Sequence, residues 1–333
     1  MQKGNGSVVF SHPPVIVGHG NVVGKKEGEG PLGALFDRVE KDPMLGTDTW
    51  EKAESILQRE AAVRAMESAR LKPKDIRYLL AGDLLGQLIA TSFGLMELNI
   101  PLFGLYGACS TMGEAMTLGA ILVDGGYADK VISLASSHFA SAEKQFRFPL
   151  EYGNQRPLSS TWTVTGSGAV VLAKDGDGPK ITGATPGKIV DMGLKDSMNM
   201  GACMAPAAAD TLCRHLRDFG RKPEDYDRII TGDLGVFGKK ILEEFMDDRK
   251  MDIRKQHMDC GIEIFDSERQ DTHAGGSGCG CSAVVLTAYV LPKLRSGEWK
   301  RVLFVPTGAL LSTVSFNEGQ SVPGIAHALV IEA

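Results

Sequence analysis

The fold is decided by a pattern that occurs twice: residues 72–87 read KPKDIRYLLAGDLLGQ, and residues 222–235 read KPEDYDRIITGDLG. Each stretch begins with K-P-x-D, continues with a short apolar run and ends with G-D-L, so Asp83 corresponds to Asp233. A proline ends a helix, and a short apolar run bounded by glycine is typical of a buried strand. The sequence therefore predicts the same turn, strand and turn at both places.

Two further pairs of segments follow in the same order along the chain. They are GGYADKVISLAS (125–136) with GEWKRVLFVPT (297–307), and GSGAVVLAK (166–174) with IAHALVIEA (325–333). Three matches in one order indicate an internal repeat. We therefore predict two related halves, residues 1–175 and 176–333, that pack tightly because no low-complexity linker separates them.

Strand-like segments alternate with helical ones throughout the chain. Helices are predicted at 50–70, 112–122, 206–219 and 282–294. Such alternation is typical of an α/β fold whose strands are mostly parallel and buried.

Composition narrows the class of protein. The 333 residues are 43% hydrophobic and 23% charged, which suits a packed globular core. The net charge of −5 argues against nucleic acid as a partner, because phosphate binding needs a basic surface.

No apolar run approaches the roughly 18 residues of a membrane span, and the N-terminus has no signal-peptide core. The six cysteines are too sparse for a disulfide framework and are expected to be reduced.

The first candidate for chemistry is the segment GACST at 107–111. It follows a short apolar strand and precedes a helix, so Cys109 and Ser110 would lie at a strand-to-helix turn. A helix N-terminus favours a thiolate through its unpaired N–H groups and its dipole. The alternative, a small buried cysteine at a tight turn, stays open.

The second candidate is the glycine-rich segment AGGSGCGC at 274–281, which includes Ser277, Gly278 and Cys279. By the repeat it is the counterpart of the Cys109 turn, so two helix N-termini would face one cavity and could hold an anion. Tight helix packing is the alternative explanation of these glycines. His138, which ends a predicted strand, is a further candidate, although a lone histidine is more often structural.

Two other patterns carry no function. Residues 28–33 match G-x-G-x-x-G, but no buried strand precedes them, so the dinucleotide-binding context is missing. Cys279 and Cys281 have no second pair at metal-ligand spacing. We predict neither a cofactor nor a metal site.

Seven segments resemble one family, the stage V sporulation protein AD branch of the thiolase and ketoacyl-synthase superfamily. They are GPLGALFD (30–37), AGDLLGQ (81–87), LYGACST (105–111), SSHFASAEKQFRFPLEYG (136–153), TVTGSGAVVL (163–172), MAPAAADT (204–211) and AGGSGCGCSAVV (274–285). The resemblance covers nearly the whole chain. It implies a five-layered αβαβα fold of two pseudo-symmetric halves, usually in a homodimer.

The resemblance also places residues in roles. Cys109 stands at the position of the superfamily's nucleophile, and Ser277 stands where the glycine-rich loop of the enzymes often carries a histidine, asparagine or cysteine. The other catalytic histidine has no clear counterpart, and the nearest candidate is His257. A serine is neither a base near neutral pH nor a cation, so the resemblance implies an enzyme fold reused for binding.

For function, the resemblance implies binding of dipicolinic acid (pyridine-2,6-dicarboxylate), free or as its calcium chelate, during uptake into the developing spore. Other proteins of that transport system would hold the chain at the spore inner membrane. The predicted ligand-binding residues are Cys109, Ser110, His138, Arg147, Arg156, Ser277, Gly278 and Cys279. Two alternatives stay open: an acyl-transferring or condensing enzyme that uses Cys109, and a scaffold with a vestigial pocket.

Overall fold

The computed structural model describes residues 1–147 and 155–333. Its strands are β1 Gln2–Lys3, β2 Ser7–Val9, β3 Val15–Gly24, β4 Val39–Glu40, β5 Tyr78–Gly82, β6 Leu102–Gly104, β7 Lys130–Ser137, β8 Trp162–Thr163, β9 Gly166–Ala173, β10 Lys180–Thr185, β11 Arg228–Thr231, β12 His257–Asp259, β13 Gly276–Ser277, β14 Arg301–Val305, β15 Thr307–Ala309, β16 Gly324–Ala326 and β17 Ala328–Glu332. Its α-helices are α1 Lys25–Gly28, α2 Trp50–Ser68, α3 Ile89–Leu95, α4 Thr111–Asp124, α5 Phe139–Phe146, α6 Met200–Phe219, α7 Gly235–Asp248, α8 Cys260–Glu263, α9 Ser267–Gln270, α10 Cys279–Val285, α11 Leu291–Arg295 and α12 Thr313–Asn317.

The strand order is the same in both halves of the chain. One ladder runs β6-β5-β7-β9-β3 and the other runs β12-β11-β14-β17-β10, and β3 pairs with β10 where they meet. β5 and β11 occupy equivalent places, so Asp83 and Asp233 both lie just beyond the end of the equivalent strand.

The expectation of mostly parallel strands is only half correct. β5 is parallel to β6 and β7, and β11 is parallel to β12 and β14. β9 and β17 run antiparallel to both of their neighbours, so the sheet is mixed. β9 begins at the same end of the sheet at which β7 stops, so the two neighbouring strands run in opposite directions.

The alternation of side chains along the strands produces five layers. In β17, Leu329 and Ile331 join the central core, whereas Ala328 and Val330 join an outer core. The central core holds the buried residues of α4 and α10 between the two ladders. α2 covers the outer face of the first ladder and α6 that of the second. The order is helix, strand, helix, strand, helix.

α4 and α6 are longer than the helices predicted there, whereas α2 ends two residues earlier than predicted. α6 begins at Met200, six residues before the predicted start, because the Asn199 side chain accepts a hydrogen bond from the Ala202 N–H and caps the helix there. Pro206 therefore lies inside the helix. α10 and α11 are joined by the π-helical turn Leu286–Val290, so the predicted helix at 282–294 is one continuous helical segment from Cys279 to Arg295.

Two further findings concern the side chains and the helices. All six cysteines are buried and unbridged, as expected. Within the described ranges, no helix combines the length and the apolar character that crossing a membrane requires.

Candidate functional site

Cys109 lies at the tight turn between β6 and α4. Ala108 adopts a left-handed conformation with φ of 49°, and the Ser110 hydroxyl donates to the Gly107 carbonyl at 2.6 Å. β15 crosses directly over this turn, since a Cβ atom on Gly308 would collide with the Gly107 carbonyl oxygen. Glycine at position 308 is therefore required by the close packing of the two backbones.

A narrow cavity leads to Cys109, and the centre of a water-sized sphere can occupy about 40 Å³ of it. Cys109 and Ser277 contribute to its lining, and Glu143 and Arg147 are its charged groups. The other lining side chains are Leu84, Tyr106, Ala108, Ala142, Phe146, Thr163, Met200, Ala309 and Leu311. The lining is thus mainly apolar with a few polar groups, which is the usual character of a small-molecule site.

A buried carboxylate, Asp233, organises the base of the site. It accepts hydrogen bonds from the Ser277 hydroxyl at 2.9 Å, the Gly278 N–H at 3.0 Å and the Thr307 hydroxyl at 2.8 Å. Burial raises the pKa of Asp233 to about 6. Since Gly278 is the N-cap of α10, Asp233 already supplies the anion that this helix N-terminus favours.

The Cys109 thiol is held in its neutral form. Its Sγ lies 3.9 Å from the Ser277 hydroxyl oxygen. Burial raises the pKa of Cys109 well above its ordinary value, and the nearby Asp233 carboxylate adds to the rise. Burial and the neighbouring negative charge thus act against the thiolate that the α4 N-terminus is expected to favour.

Arg147 and Glu143 form the charged wall of the cavity. They lie one turn apart at the end of α5, with Arg147 Nη1 3.3 Å from Glu143 Oε1. Within the described residues, neither Arg147 Nη1 nor Glu143 Oε2 has a hydrogen-bond partner, although both atoms are buried. Burial lowers the pKa of Arg147 and raises the pKa of Glu143. The cavity thus contains a desolvated guanidinium with unused hydrogen-bonding capacity.

Of the eight predicted site residues, the structure brings three together around the cavity: Cys109, Arg147 and Ser277. Ser110, Gly278 and Cys279 lie beneath it as supports. The Cys279 thiol donates to the Ala108 carbonyl at 2.9 Å, and the Gly278 N–H is bound to Asp233. The expectation of two helix N-termini facing a ligand therefore fails for α10, whose first N–H groups are already bound inside the protein.

His138 and Arg156 lie outside the cavity lining. The His138 Nδ1 accepts from the Ala140 N–H at 3.1 Å and caps α5, while its Nε2 lies 2.8 Å from the Pro43 carbonyl oxygen. Both ring nitrogens are thus occupied, and burial lowers its pKa. Arg156 pairs with Asp271 at 2.7 Å and lies 4.9 Å from the centre of the Trp162 ring. Both residues hold the scaffold together.

His257 also lies elsewhere. Its Nε2 is 3.0 Å from the Thr231 hydroxyl and its Nδ1 is 3.1 Å from Glu243, in a separate buried network. Residues 148–154, which end one of the matching segments, lie outside the described residues.

Sequence reasoning missed two buried carboxyl groups at this site, Asp233 and Glu143. Asp233 is half of the repeated G-D-L pattern, so the repeat itself was a usable signal. Glu143 lies four residues before Arg147, a spacing that favours an ion pair on one helix face. Neither sequence pattern indicates that the Asp233 or Glu143 side chain is buried near Cys109, because the burial of these side chains depends on packing between the two halves.

Comparison with known proteins agrees with this architecture. The family model for stage V sporulation protein AD (SpoVAD) matches residues 4–332. The chain is 43% identical over 324 residues to stage V sporulation protein AD of Bacillus subtilis (strain 168), covering 97% of this chain and 96% of that protein. Among solved structures, 3-oxoacyl-[acyl-carrier-protein] synthase III from Aquifex aeolicus VF5 is 14% identical with a TM-score of 0.60, covering 96% of this chain and 100% of that chain. An OleA variant of Xanthomonas campestris is 14% identical with a TM-score of 0.62, covering 97% and 98%. These structures confirm the predicted thiolase-like fold.

Proposed function

This chain belongs to the stage V sporulation protein AD family, and on that premise we propose that it serves sporulation by binding pyridine-2,6-dicarboxylate in the cavity above Cys109. The observation that carries the proposal is the buried guanidinium of Arg147, whose Nη1 lies 3.3 Å from Glu143 Oε1 but forms no hydrogen bond within the described residues. A planar fork of N–H donors in a desolvated site matches a carboxylate.

The rest of the cavity suits the body of such a ligand. Leu84, Phe146 and Leu311 offer apolar surface to an aromatic ring. The Ser277 hydroxyl lies at the base, where it donates its hydrogen to Asp233 and presents only lone pairs to the cavity. We propose that one carboxylate pairs with Arg147 while the ring lies against the apolar wall.

The competing function, acyl transfer through Cys109, has less support. It requires a thiolate and a base, but burial and Asp233 raise the pKa of the Cys109 thiol, and the described residues of the lining include no histidine. A 3-oxoacyl-[acyl-carrier-protein] synthase III has a similar fold, so the experiment also measures acyl transfer.

The test uses two replacements of Cys109. Cys109→Ala removes one small atom group and is expected to bind dipicolinate within about threefold of the unmodified chain, whereas Cys109→Phe fills the base and weakens binding by about tenfold or more. Isothermal titration measures both, and thermal melting checks the fold. Incubation with acyl-CoA followed by intact mass is expected to show no adduct.

Either of two results would contradict the proposal. One is unchanged dipicolinate affinity in a folded Cys109→Phe variant, which would place the ligand elsewhere. The other is a stoichiometric acyl adduct that disappears in Cys109→Ala, which would establish Cys109 as a nucleophile.

The pH dependence of binding is expected to follow Glu143. A bound dianion disfavours the Glu143 carboxylate and raises its pKa further, so binding takes up a proton. Affinity should therefore fall as pH rises through the pKa of Glu143, which burial has already raised. Titrations between pH 5 and 9 check this slope, and Glu143→Gln should remove it. An equal slope in that variant would exclude Glu143 as the group responsible.

We propose that the chain acts as a homodimer through the exposed edge at β6. Leu102 and Phe103 in β6 and Phe93 in α3 are 40%, 46% and 61% exposed, and within the described residues β6 pairs only with β5. An unpaired apolar edge strand favours pairing with another chain. Membrane association would then depend on partner proteins of the spore transport system.

Phe103→Arg is expected to shift the homodimer to monomer, because it places a charge in an apolar interface. Sedimentation equilibrium measures the mass, and Tyr127→Arg, at an exposed aromatic residue on the turn after α4, is the matched control. A Phe103→Arg variant that dimerises as tightly as the control would locate the interface elsewhere.

A further inference from the structure

A second groove, separate from the Cys109 cavity, lies between α6 and α7. Its volume is about 270 Å³, and the segment carrying Val190 and Met192 closes one side. Pro206, Ala209 and Phe245 provide an apolar floor. It shares no lining residue with the Cys109 cavity.

The groove is lined by three arginines and a single aspartate. The aspartate, Asp210, is already neutralised, because one oxygen lies 2.9 Å from Lys188 Nζ and the other accepts from Arg214 Nε at 3.2 Å. Arg217 and Arg249 form no ion pair with any described residue. Both are exposed at the groove, and their positive charges remain uncompensated there.

Arg217 and Arg249 line the groove from two different elements, the last turn of α6 and the end of α7. Cys213 lies on the floor, 8% exposed. Burial raises the pKa of its thiol, and the charges of Arg249 and Arg217 oppose that rise. The two cations and the Cys213 thiol thus border the same groove.

A purely structural role explains only part of this arrangement. Arg217 lies in the last turn of α6 and Arg249 caps α7, and a basic residue suits a helix C-terminus. The Arg249 Nη1 indeed donates to the Phe245 carbonyl at 2.6 Å. A favourable helix dipole does not explain why two unpaired cations, which repel each other, line one groove with an apolar floor.

We propose that this groove is a binding site for a small organic anion. Its carboxylate or phosphate group lies between Arg217 and Arg249, and its apolar body lies on Pro206, Ala209 and Phe245. The site acts independently of the cavity above Cys109.

The test uses 8-anilinonaphthalene-1-sulfonate, a fluorescent anion with an apolar body, on the full chain. The variant R217Q/R249Q is expected to weaken binding of the probe by about tenfold or more, because two charge-assisted contacts are lost. The control R59Q/R254Q removes the same charge from arginines paired with Glu97 and Asp247, and should bind within about twofold of the unmodified chain.

Competition then defines the ligand class. Hexanoate is expected to displace the probe at about tenfold lower concentration than hexanol, which has the apolar body without the charge, and this difference should vanish in R217Q/R249Q. Identical probe titrations for the two double variants, or equal displacement by hexanoate and hexanol, would overturn the proposal. Circular dichroism verifies that both variants are folded.

Discussion

Arg147→Gln is expected to weaken dipicolinate binding by about 30-fold or more at neutral pH, because losing one partner of a desolvated charge pair costs roughly 2 kcal/mol or more. Arg147 is the cation that lines the cavity, and its side chain is only 16% exposed. Glutamine preserves much of the apolar stem, so the change removes chiefly the charge and the donor fork. Isothermal titration with dipicolinate measures the loss.

Arg156 provides a matched control on the next segment of the chain. Its guanidinium is bound to Asp271 and lies over Trp162, outside the cavity lining. Arg156→Gln is therefore expected to leave affinity within about threefold. Equal losses in both variants would mean that long-range charge, and not a contact with Arg147, attracts the ligand. An unchanged affinity in Arg147→Gln would remove the observation on which the proposed function depends.

The sequence predicted the fold well because the fold depends on local patterns that it contains twice. The strands near 78–82 and 228–231 were predicted from the repeated K-P-x-D and G-D-L residues, and the structure places them equivalently. What the repeat did not contain was the direction of β9 and β17. The direction of a strand depends on whether the connection before it ends at the same or at the opposite end of the sheet. A run of apolar residues carries no information on this point.

The site was predicted less completely, because its chemistry depends on burial. Cys109 and Ser277 were correctly placed beside one cavity by the repeat and the turn pattern. The rise in the pKa of the Cys109 thiol was not predicted, since it comes first from burial and then from the nearby Asp233 carboxylate, and both depend on tertiary packing. His138 and Arg156 were plausible polar residues whose hydrogen bonds are already used within the scaffold.

A second carboxyl network supports the helix that carries Arg147. Glu54 is fully buried in α2 and accepts hydrogen bonds from Ser136 at 2.8 Å and from Ser141 at 2.7 Å. Gln58 connects Ser136 to Thr91, whose hydroxyl donates to Asp83. Burial and the nearby Asp83 raise the pKa of Glu54 to about 8, so it is protonated in the folded chain at neutral pH.

This shift makes folding stability depend on pH in one direction. The unfolded chain releases the Glu54 proton near the ordinary pKa of 4.5, whereas the folded chain retains it up to about 8. The folded state therefore binds more protons across this window, and the free energy of unfolding falls as pH rises through it. At 1.36 kcal/mol per pKa unit, the loss is about 3 to 5 kcal/mol.

Glu54→Gln is expected to flatten this dependence, because the amide retains hydrogen-bonding groups for Ser136 and Ser141 but does not titrate. The variant should be more stable than the unmodified chain at pH 9. Urea unfolding at several pH values measures the slope. Glu51→Gln, on the same helix, is the control, because Glu51 pairs with Lys144 and its pKa is lowered, which leaves the alkaline window unchanged. Parallel curves for Glu54→Gln and the unmodified chain would contradict the prediction.

The same variant separates two causes of weaker ligand binding at alkaline pH. Ser141 is the contact between Glu54 and α5, the helix that carries Glu143 and ends next to Arg147. Ionisation of Glu54 should therefore loosen the charged wall of the cavity, whereas ionisation of Glu143 repels the ligand directly. Glu54→Gln is expected to restore both stability and part of the affinity at pH 9. Glu143→Gln is expected to restore affinity and also to reduce the slope of stability, because burial raises the pKa of Glu143 as well. If Glu54→Gln restores stability and leaves affinity at pH 9 unimproved, the wall does not depend on the Glu54 proton.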